Sequence, residues 1–270
     1  MKKKQEGYCH ICGEYGELSF EHIPPENALN KNRAIVYTGD NVIKRYKREN
    51  SRYINQQQGM GKYTLCKKCN NVTGSWYATT YSDVAKDIAQ CLYVRKQLKH
   101  GDLIEFSFKN LPVLAFVKQV ITMFCSVLPL AEVKRLGFDT FLLEKESNHI
   151  DKTLFDLRMY LTPLNVGQLI VGTTSVVHMT ETGFETTIAC DLGVYPFGFI
   201  LNLTPETSVE YGTSIMNFLD TQYNNRYSTT LNLMYLERTD TVLPMPLVFK
   251  PLPDNAVENN LEKIELEKGE

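Results

Sequence analysis

The chain has 270 residues, of which 43% are hydrophobic and 22% are charged, a composition that is typical of globular proteins and argues against wholesale disorder. No apolar run approaches the roughly 20 residues of a membrane-spanning helix, and no apolar stretch follows the basic start, so we expect a cytoplasmic protein. The formal net charge of -2 conceals an asymmetry: residues 1–80 contain 13 Lys+Arg and 7 Asp+Glu, and the remainder is strongly acidic. The basic end favours an anionic partner.

The first eighty residues contain short predicted elements. Residues 17–23 are expected to form a strand that ends at Pro24, because proline donates no hydrogen bond to a strand ladder. Residues 34–37 and 42–46 flank a Thr-Gly-Asp-Asn sequence, which predicts a hairpin. An extended segment over 62–65 precedes a helix that is expected to begin at Asn70 and to be interrupted near Gly74.

The rest of the chain predicts two helices and then mainly strands. From residue 81, apolar residues repeat at roughly helical spacing, and residues 112–128 predict a second, apolar helix. Segments rich in β-branched and aromatic residues predict strands over 158–162, 168–179, 185–190, 198–203 and 229–237. A further helix is expected over 211–219, and 251–270 is expected to be a polar tail. The pattern predicts an α+β fold.

Four of the seven cysteines form two C-x2-C pairs, which is the spacing of a metal site and not of a disulfide framework. They are Cys9, Cys12, Cys66 and Cys69. Four thiolates match the tetrahedral preference of Zn2+, and because they leave no open coordination position, this zinc is expected to be structural.

Further predictions concern the residues inside these pairs and the other cysteines. Lys67 and Lys68, inside the second pair, are expected to lower the thiol pKa values. His10, inside the first pair, is expected to point to solvent. The three remaining cysteines, which stand singly in apolar surroundings, are expected to be buried thiols. They are Cys91, Cys125 and Cys190.

An acid-histidine pair, Glu21-His22, follows the first cysteine pair, and Asn70 directly follows the second. The order C-x2-C, acid-His, C-x2-C-N resembles the zinc-bound, four-cysteine branch of the HNH or ββα-metal endonucleases, which includes phage recombination endonuclease VII. The likeness covers residues 8–80. It implies a zinc-stapled ββα-metal module over residues 1–80, followed by a larger α+β domain of unassigned role over 81–250.

The resemblance implies a metal-dependent endonuclease that hydrolyses phosphodiester bonds in DNA. Glu21 and Asn70 would supply oxygen ligands to one catalytic Mg2+ or Mn2+ ion, since hard cations prefer oxygen. His22 would be the general base, because histidine is the side chain that most readily exchanges a proton near neutral pH. Neighbouring side chains on a strand point to opposite faces, so a kink at the strand end must bring Glu21 and His22 together.

Two features depart from the family pattern. The segment between His22 and Cys66 has 43 residues, which is longer than in compact members. The middle asparagine, which orients the histidine in this family, has three candidates here, and the one that follows the predicted turn is preferred. They are Asn41, Asn50 and Asn55, with Asn41 preferred. A backbone carbonyl is the other group that can orient His22.

A run of cations interleaved with tyrosines lies over residues 44–53 and is a candidate for binding phosphates and stacking on sugars or bases. Its candidate contacts are Lys44, Arg45, Lys47, Arg48 and Arg52. The alternative interpretation is an ordinary solvated surface segment.

A noncatalytic zinc module that binds nucleic acid or a partner protein is the alternative to a nuclease. The pair Glu21-His22 together with Asn70 favours the enzyme, because binding alone has no use for a base beside two hard-metal ligands. The charge asymmetry suggests a further hypothesis, in which the acidic domain senses a ligand or protein partner and controls the nuclease, as in a bacterial or phage defence effector. A homo-oligomer would suit the cutting of both strands, although no interface is predicted.

Overall fold

The computed structural model describes residues 4–37, 41, 44, 49–50, 52–95, 97–163, 168–180, 183–207, 211–236 and 247–251. Within these ranges the fold is α+β, with few helices and sheets whose strand pairs are antiparallel. The predicted fold class is therefore confirmed. Among the helices in these ranges, none is both long enough and apolar enough to cross a bilayer.

The strands follow the chain in numerical order. They are β1 (Glu6–Tyr8), β2 (Tyr15–His22), β3 (Ala34–Tyr37), β4 (Ile54–Gln56), β5 (Gly61–Cys66), β6 (Leu103–Leu111), β7 (Asp156–Leu161), β8 (Gln168–Thr180), β9 (Gly183–Val194), β10 (Phe197–Asn202), β11 (Thr213–Ser214), β12 (Tyr227–Met234) and β13 (Leu247–Pro251).

The helices lie mainly between β5 and β7. They are α1 (Lys67–Thr73), a π-helical turn (Gly74–Ala78), α2 (Thr79–Val94), α3 (Val113–Cys125), α4 (Leu130–Arg135) and α5 (Phe138–Leu143), with short 3-10 helices at Lys152–Leu154 and Met216–Asp220. The helix expected from Asn70 thus begins three residues earlier, at Lys67. The turn at Gly74 widens the helix without ending it, so α1, the π-helical turn and α2 form one continuous helical segment that crosses residue 80.

A three-stranded sheet carries the acid-histidine pair, and the turn between its first two strands in the chain holds the first cysteine pair. Its order is β1-β2-β5, and the antiparallel register places Glu21 opposite Lys62 and His22 opposite Gly61. The register of β2 against β5 shifts between Ser19 and Phe20, which marks a bulge just before Glu21 and His22. The end of β2 is therefore locally bent.

An eight-stranded sheet, of order β11-β7-β10-β9-β8-β13-β3-β4, forms the largest layer. Strand β3 pairs with β4 and with β13, so the hairpin predicted between residues 34–37 and 42–46 is wrong. Lys44, inside the predicted second strand, is helical. Because β3 and β4 belong to this sheet, the N-terminal segment and the strands near the C-terminus share one layer.

The core centres on α3, in which all 13 residues are buried. The helix is buried on every side because other elements pack all round it, and its buried polar residues are Lys118, Gln119 and Thr122. One continuous cluster of buried apolar side chains reaches from Cys9 and Leu65 through α3 to Phe199 on β10. The cysteine pairs thus sit on the same core as the large sheet.

The helix predicted over 211–219 is replaced by β11 and a 3-10 helix. Gly212 has a positive φ of 79°, which interrupts a right-handed helix, and Thr213 pairs with Met159 of β7. Pairing with a distant strand has therefore overridden the local preference.

Candidate active site and metal centre

The two cysteine pairs meet where the turn after β1 approaches the start of α1. The sulfur atoms of Cys9, Cys12, Cys66 and Cys69 all lie within 4.8 Å of one another. Cys66 also caps the helix, because its Sγ accepts a hydrogen bond from the backbone amide of Cys69 at 3.5 Å. The four predicted ligands are gathered at one point and can hold a metal ion such as zinc.

The spacing and ionisation of these thiols fit a metal site. Zn–S bonds of about 2.3 Å place tetrahedral sulfur atoms about 3.8 Å apart, and Cys12 Sγ lies 3.9 Å from Cys66 Sγ. A hydrogen bond from Cys69 lowers the pKa of Cys9 to about 4, and the same bond raises the pKa of Cys69. Because neighbouring thiolates repel each other, all four thiols ionise together only around a cation.

The neighbours of the pairs differ from expectation. Lys67 and Lys68 are exposed, and the low pKa of Cys9 is set by the Cys69 thiol and by backbone amides instead. Cys91 is exposed, so the expectation of a buried thiol is wrong there, whereas Cys125 and Cys190 are buried as predicted.

His10 does not point to solvent as predicted. Its Nδ1 lies 2.9 Å from the backbone carbonyl oxygen of Cys125 at the end of α3. A carbonyl oxygen only accepts, so Nδ1 is the donor. The bond ties the first cysteine pair to the central helix.

A cavity of about 390 Å³ brings together the end of β2, the loop after it and the helical segment from α1 to α2. Glu21, His22 and Asn70 all line this cavity. The bent end of β2 therefore brings both members of the acid-histidine pair to one cavity, which the predicted chemistry requires.

Glu21 is a buried carboxylic acid, 5% exposed, on the cavity wall. Burial raises its pKa to about 8, because a carboxylate loses its hydration there. A cation in the cavity would favour the ionised form of this group. The chemistry of Glu21 therefore fits a metal ligand.

His22 is oriented by a backbone carbonyl. Its Nε2 lies 2.8 Å from the carbonyl oxygen of Gln58, so Nε2 donates and carries the ring proton. In the neutral ring, Nδ1 is then left without a proton and can accept one. Of the two orienting groups considered from the sequence, the carbonyl is the one found.

Asn30, which the sequence did not single out, holds the loop that carries Gln58. It is buried, its Nδ2 donates to the carbonyl oxygens of Pro24 at 2.6 Å and Met60 at 2.8 Å, and its Oδ1 accepts from the Met60 amide at 2.7 Å. Gly59 passes so close that a Cβ there would lie 2.2 Å from the Asn30 carbonyl oxygen. Asn30 thus joins the backbone just after His22 to the loop that carries Gln58.

The three asparagines proposed to orient His22 are not among the residues that line the cavity. Asn41 accepts a hydrogen bond from the Arg52 amide at 2.9 Å through its Oδ1. Asn50 and Asn55 are exposed, and Asn55 lies on β4 opposite Ile35 of β3. Asn30 lies eight residues after His22 and beyond two prolines. Nothing in this spacing marks it as a buried residue, so the sequence did not reveal its role.

Asn70 presents one end of its amide to β2. Its Nδ2 donates to Ser19 Oγ at 3.1 Å and to the Phe20 carbonyl oxygen at 3.0 Å. These bonds fix which end of the amide is the oxygen, because both partners accept. Oδ1 remains free of these two contacts and available as a metal ligand.

The basic segment is only partly described. Lys44 and Arg52 are exposed, as phosphate-binding residues need to be. Arg45, Lys47 and Arg48 lie outside the described residues.

Other cavity residues come from beyond residue 80. Asp83 and Lys86 lie on α2 and Gln119 lies on α3. The sequence pattern that could have indicated Asp83 and Lys86 is a polar stripe along one face of this helix, since residues three or four apart share a face. Gln119 is 1% exposed, and its Oε1 accepts no hydrogen bond within the described part of the chain.

Comparisons with known proteins do not assign the chain to a family. No family model matches it, and searches of curated proteins and of solved structures also find no match.

Proposed function

We propose that this chain is a metal-dependent endonuclease of the HNH type that hydrolyses phosphodiester bonds in DNA. The observation that carries the proposal is that Glu21, His22 and Asn70 line one cavity, with Nε2 of His22 bonded to a backbone carbonyl. Together they supply a base and two oxygen ligands, which is the set that phosphodiester hydrolysis at one metal ion requires.

His22 is the general base in this proposal. The Gln58 carbonyl keeps the proton on Nε2, so Nδ1 takes a proton from the attacking water. The hydroxide attacks phosphorus, the bond from phosphorus to the 3′ oxygen breaks, and the electron pair of that bond leaves with the oxygen. Asn30 acts through the loop by keeping the Gln58 carbonyl in place.

Glu21 and Asn70 are the residues that would hold the Mg2+ or Mn2+ ion. Both offer oxygen, the carboxylate of Glu21 and the Oδ1 of Asn70, and hard cations prefer oxygen ligands. When bound, the ion supplies positive charge beside the phosphate and the leaving oxygen.

The four cysteines would hold Zn2+ as a structural ion. They connect the turn after β1 to the start of α1. The turn precedes Glu21 in the chain, and α1 is the helix that carries Asn70. Zinc binding would therefore stabilise the segment in which the reacting groups are placed.

Contacts to DNA outside the cavity are assigned to the basic segment over residues 44–53. Lys44 and Arg52 are its described cations, and both are exposed. Neutralising phosphates with such side chains would make binding weaken as salt concentration rises.

The test of this function is plasmid cleavage with Mg2+, Mn2+ or EDTA. Asn70→Ala is expected to lower the rate at least about tenfold, because a metal ligand is lost, whereas Asn71→Ala, at an exposed neighbour on the same helix, is expected to cleave normally. Glu21→Gln and the exposed Glu17→Gln on β2 form a second matched pair. Cleavage in EDTA, or equal rates within each pair, would contradict the proposal, and absent cleavage with bound zinc would favour a noncatalytic binding module.

A further inference from the structure

Among the described residues that line the cavity, three polar side chains are buried. They are Glu21, Ser82 and Gln119, which are 5%, 2% and 1% exposed. Ser82 has a partner, because its Oγ donates to the Ala78 carbonyl oxygen at 2.8 Å. The Oε1 of Gln119 accepts no hydrogen bond within the described part of the chain. Because a buried acceptor without a donor costs free energy, this amide points to a ligand in the cavity.

The charged residues of the lining favour a cation over an anion. Glu21, Glu26 and Asp83 are acids, and Lys86 is the lysine that opposes them. None of these four side chains has an ion pair with another described residue. A phosphate group that approaches the acids is repelled unless a positive ion is bound beside them. The cavity therefore needs a bound cation before it can receive a phosphodiester.

The size of the cavity fits a cation together with water. Its volume is about 390 Å³, and a water molecule takes up about 30 Å³. A divalent ion such as Mg2+ gives up its waters reluctantly and usually keeps several of them when it binds to a protein. Those waters are hydrogen-bond donors, and the buried oxygen of Gln119 is an acceptor that lacks a donor. The cavity and the hydrated ion are thus complementary in charge, volume and hydrogen bonding.

We propose that Gln119 belongs to the metal site and that its Oε1 accepts a hydrogen bond from the water shell of the divalent cation held by Glu21 and Asn70. This rests on the proposed function and deepens it, because it adds a positioning residue from α3, outside the segment that resembles HNH endonucleases. The reaction centre is then completed by a residue beyond position 80, and a fragment of residues 1–80 would lack part of it.

Mn2+ binding by the whole 270-residue chain tests this inference without DNA and without catalysis. The electron paramagnetic resonance signal of free Mn2+ would be followed during titration of the zinc-loaded protein. Gln119→Met is expected to weaken Mn2+ binding about tenfold or more, which is the usual effect of removing a group that supports a metal site from outside its direct ligands. Glu21→Gln should weaken binding at least as much, and this would assign the bound ion to the cavity.

Gln119→Glu distinguishes an oxygen acceptor from an amide with a purely structural role. It keeps an oxygen and removes the NH2 group, so Mn2+ should bind at least as tightly as in the wild type. Thermal melting provides a second measurement. Without added Mn2+, Gln119→Met should melt no lower than the wild type, because Oε1 has no hydrogen bond to lose. Adding Mn2+ should raise its melting temperature less than that of the wild type.

Gln5→Met is the matched control, because Gln5 is an exposed glutamine outside the cavity lining. It should bind Mn2+ like the wild type. The inference is overturned if Gln119→Met binds Mn2+ as tightly as Gln5→Met does, or if Gln119→Glu binds it as weakly as Gln119→Met.

The two proposals fail in different ways. If the wild type cuts no DNA but Gln119→Met weakens Mn2+ binding, catalysis is refuted and the role of Gln119 in the metal site stands. If the wild type cuts DNA and Glu21→Gln weakens Mn2+ binding while Gln119→Met does not, the nuclease stands and the role of Gln119 is refuted.

Discussion

Asn30 uses both ends of its side-chain amide to join two loops. Its donors bind the Pro24 and Met60 carbonyls and its oxygen accepts from the Met60 amide. Asn30→Asp keeps the shape but replaces the NH2 group with an oxygen that faces two carbonyls. We expect a loss of about 2–3 kcal/mol in the free energy of unfolding, measured by urea denaturation, and a slower cleavage rate.

Asn55→Asp is the control for this change, since Asn55 is exposed on β4. It should leave both stability and cleavage close to the wild type. If Asn30→Asp were equally harmless, the loop would not depend on this side chain.

Lys118 is a buried cation in the middle of α3. Its Nζ donates to the carbonyl oxygens of Phe141, Glu144 and Lys145 at 2.8, 2.7 and 3.1 Å, and it lies 4.3 Å from the centre of the Phe141 ring. Burial lowers its pKa to about 8, so it remains mostly protonated at neutral pH. The ammonium group therefore satisfies the carbonyls at the end of α5.

Replacing this group with an apolar one tests its net contribution. Lys118→Met is expected to lower the free energy of unfolding by about 2–4 kcal/mol, because the buried Phe141 carbonyl and two part-buried carbonyls lose their donor. Lys109→Met, at an exposed site, is the comparison in the same thermal denaturation assay. A Lys118→Met protein as stable as the wild type would mean that the cost of burying the charge cancels its bonds.

At the scale of elements, the loop before β5 is shaped by Gly59. Its φ is +82°, and a Cβ would lie 2.2 Å from the Asn30 carbonyl oxygen. Gly101 has a similar φ of +88° but open space around it. Comparing alanine substitutions at these two glycines therefore separates the cost of backbone conformation from the cost of a clash.

Gly59→Ala is therefore expected to destabilise the protein more than Gly101→Ala, which should cost about 1 kcal/mol for the conformation alone. Gly59→Ala should also lower the cleavage rate, because the displaced loop carries the Gln58 carbonyl that orients His22. Denaturant titration and plasmid cleavage of both variants provide the measurement. Equal destabilisation by the two changes would show that the loop can move aside.

Elements with a strong local pattern could be predicted from the sequence, and those that depend on distant pairing could not. The apolar run of α3 and the β-branched strands β8 and β9 formed near the expected residues. Strand β3 pairs with β13, more than 200 residues away, and its other partner is β4 instead of the neighbouring residues 42–46. No local signal specifies such partners.

At the scale of the molecule, the cysteine centre and the large sheet share one core. We expect one zinc ion per chain, and Cys66→Ser should lose it and lower the melting temperature, because folding and metal binding are coupled. Cys91→Ser, at an exposed lone cysteine, should retain both. Metal analysis and thermal melting check this, and a full zinc content in Cys66→Ser would rule out the four-cysteine ligand set.

The candidate site was predictable only in part for the same reason. Spacing identified the two cysteine pairs, and the resemblance to HNH endonucleases singled out Glu21, His22 and Asn70 as candidates beside them. Gln58 acts through its backbone carbonyl, which no side-chain pattern reveals. Gln119 reaches the cavity from a helix that the likeness does not cover.

The most direct test of the central claim is the plasmid cleavage rate of His22→Ala beside that of His149→Ala, an exposed histidine distant in sequence. Both variants should bind zinc and melt like the wild type. The account predicts metal-dependent cleavage by the wild type and by His149→Ala, and a loss of about 100-fold or more in His22→Ala, because a positioned general base contributes that much. Cleavage by His22→Ala at the wild-type rate would contradict it.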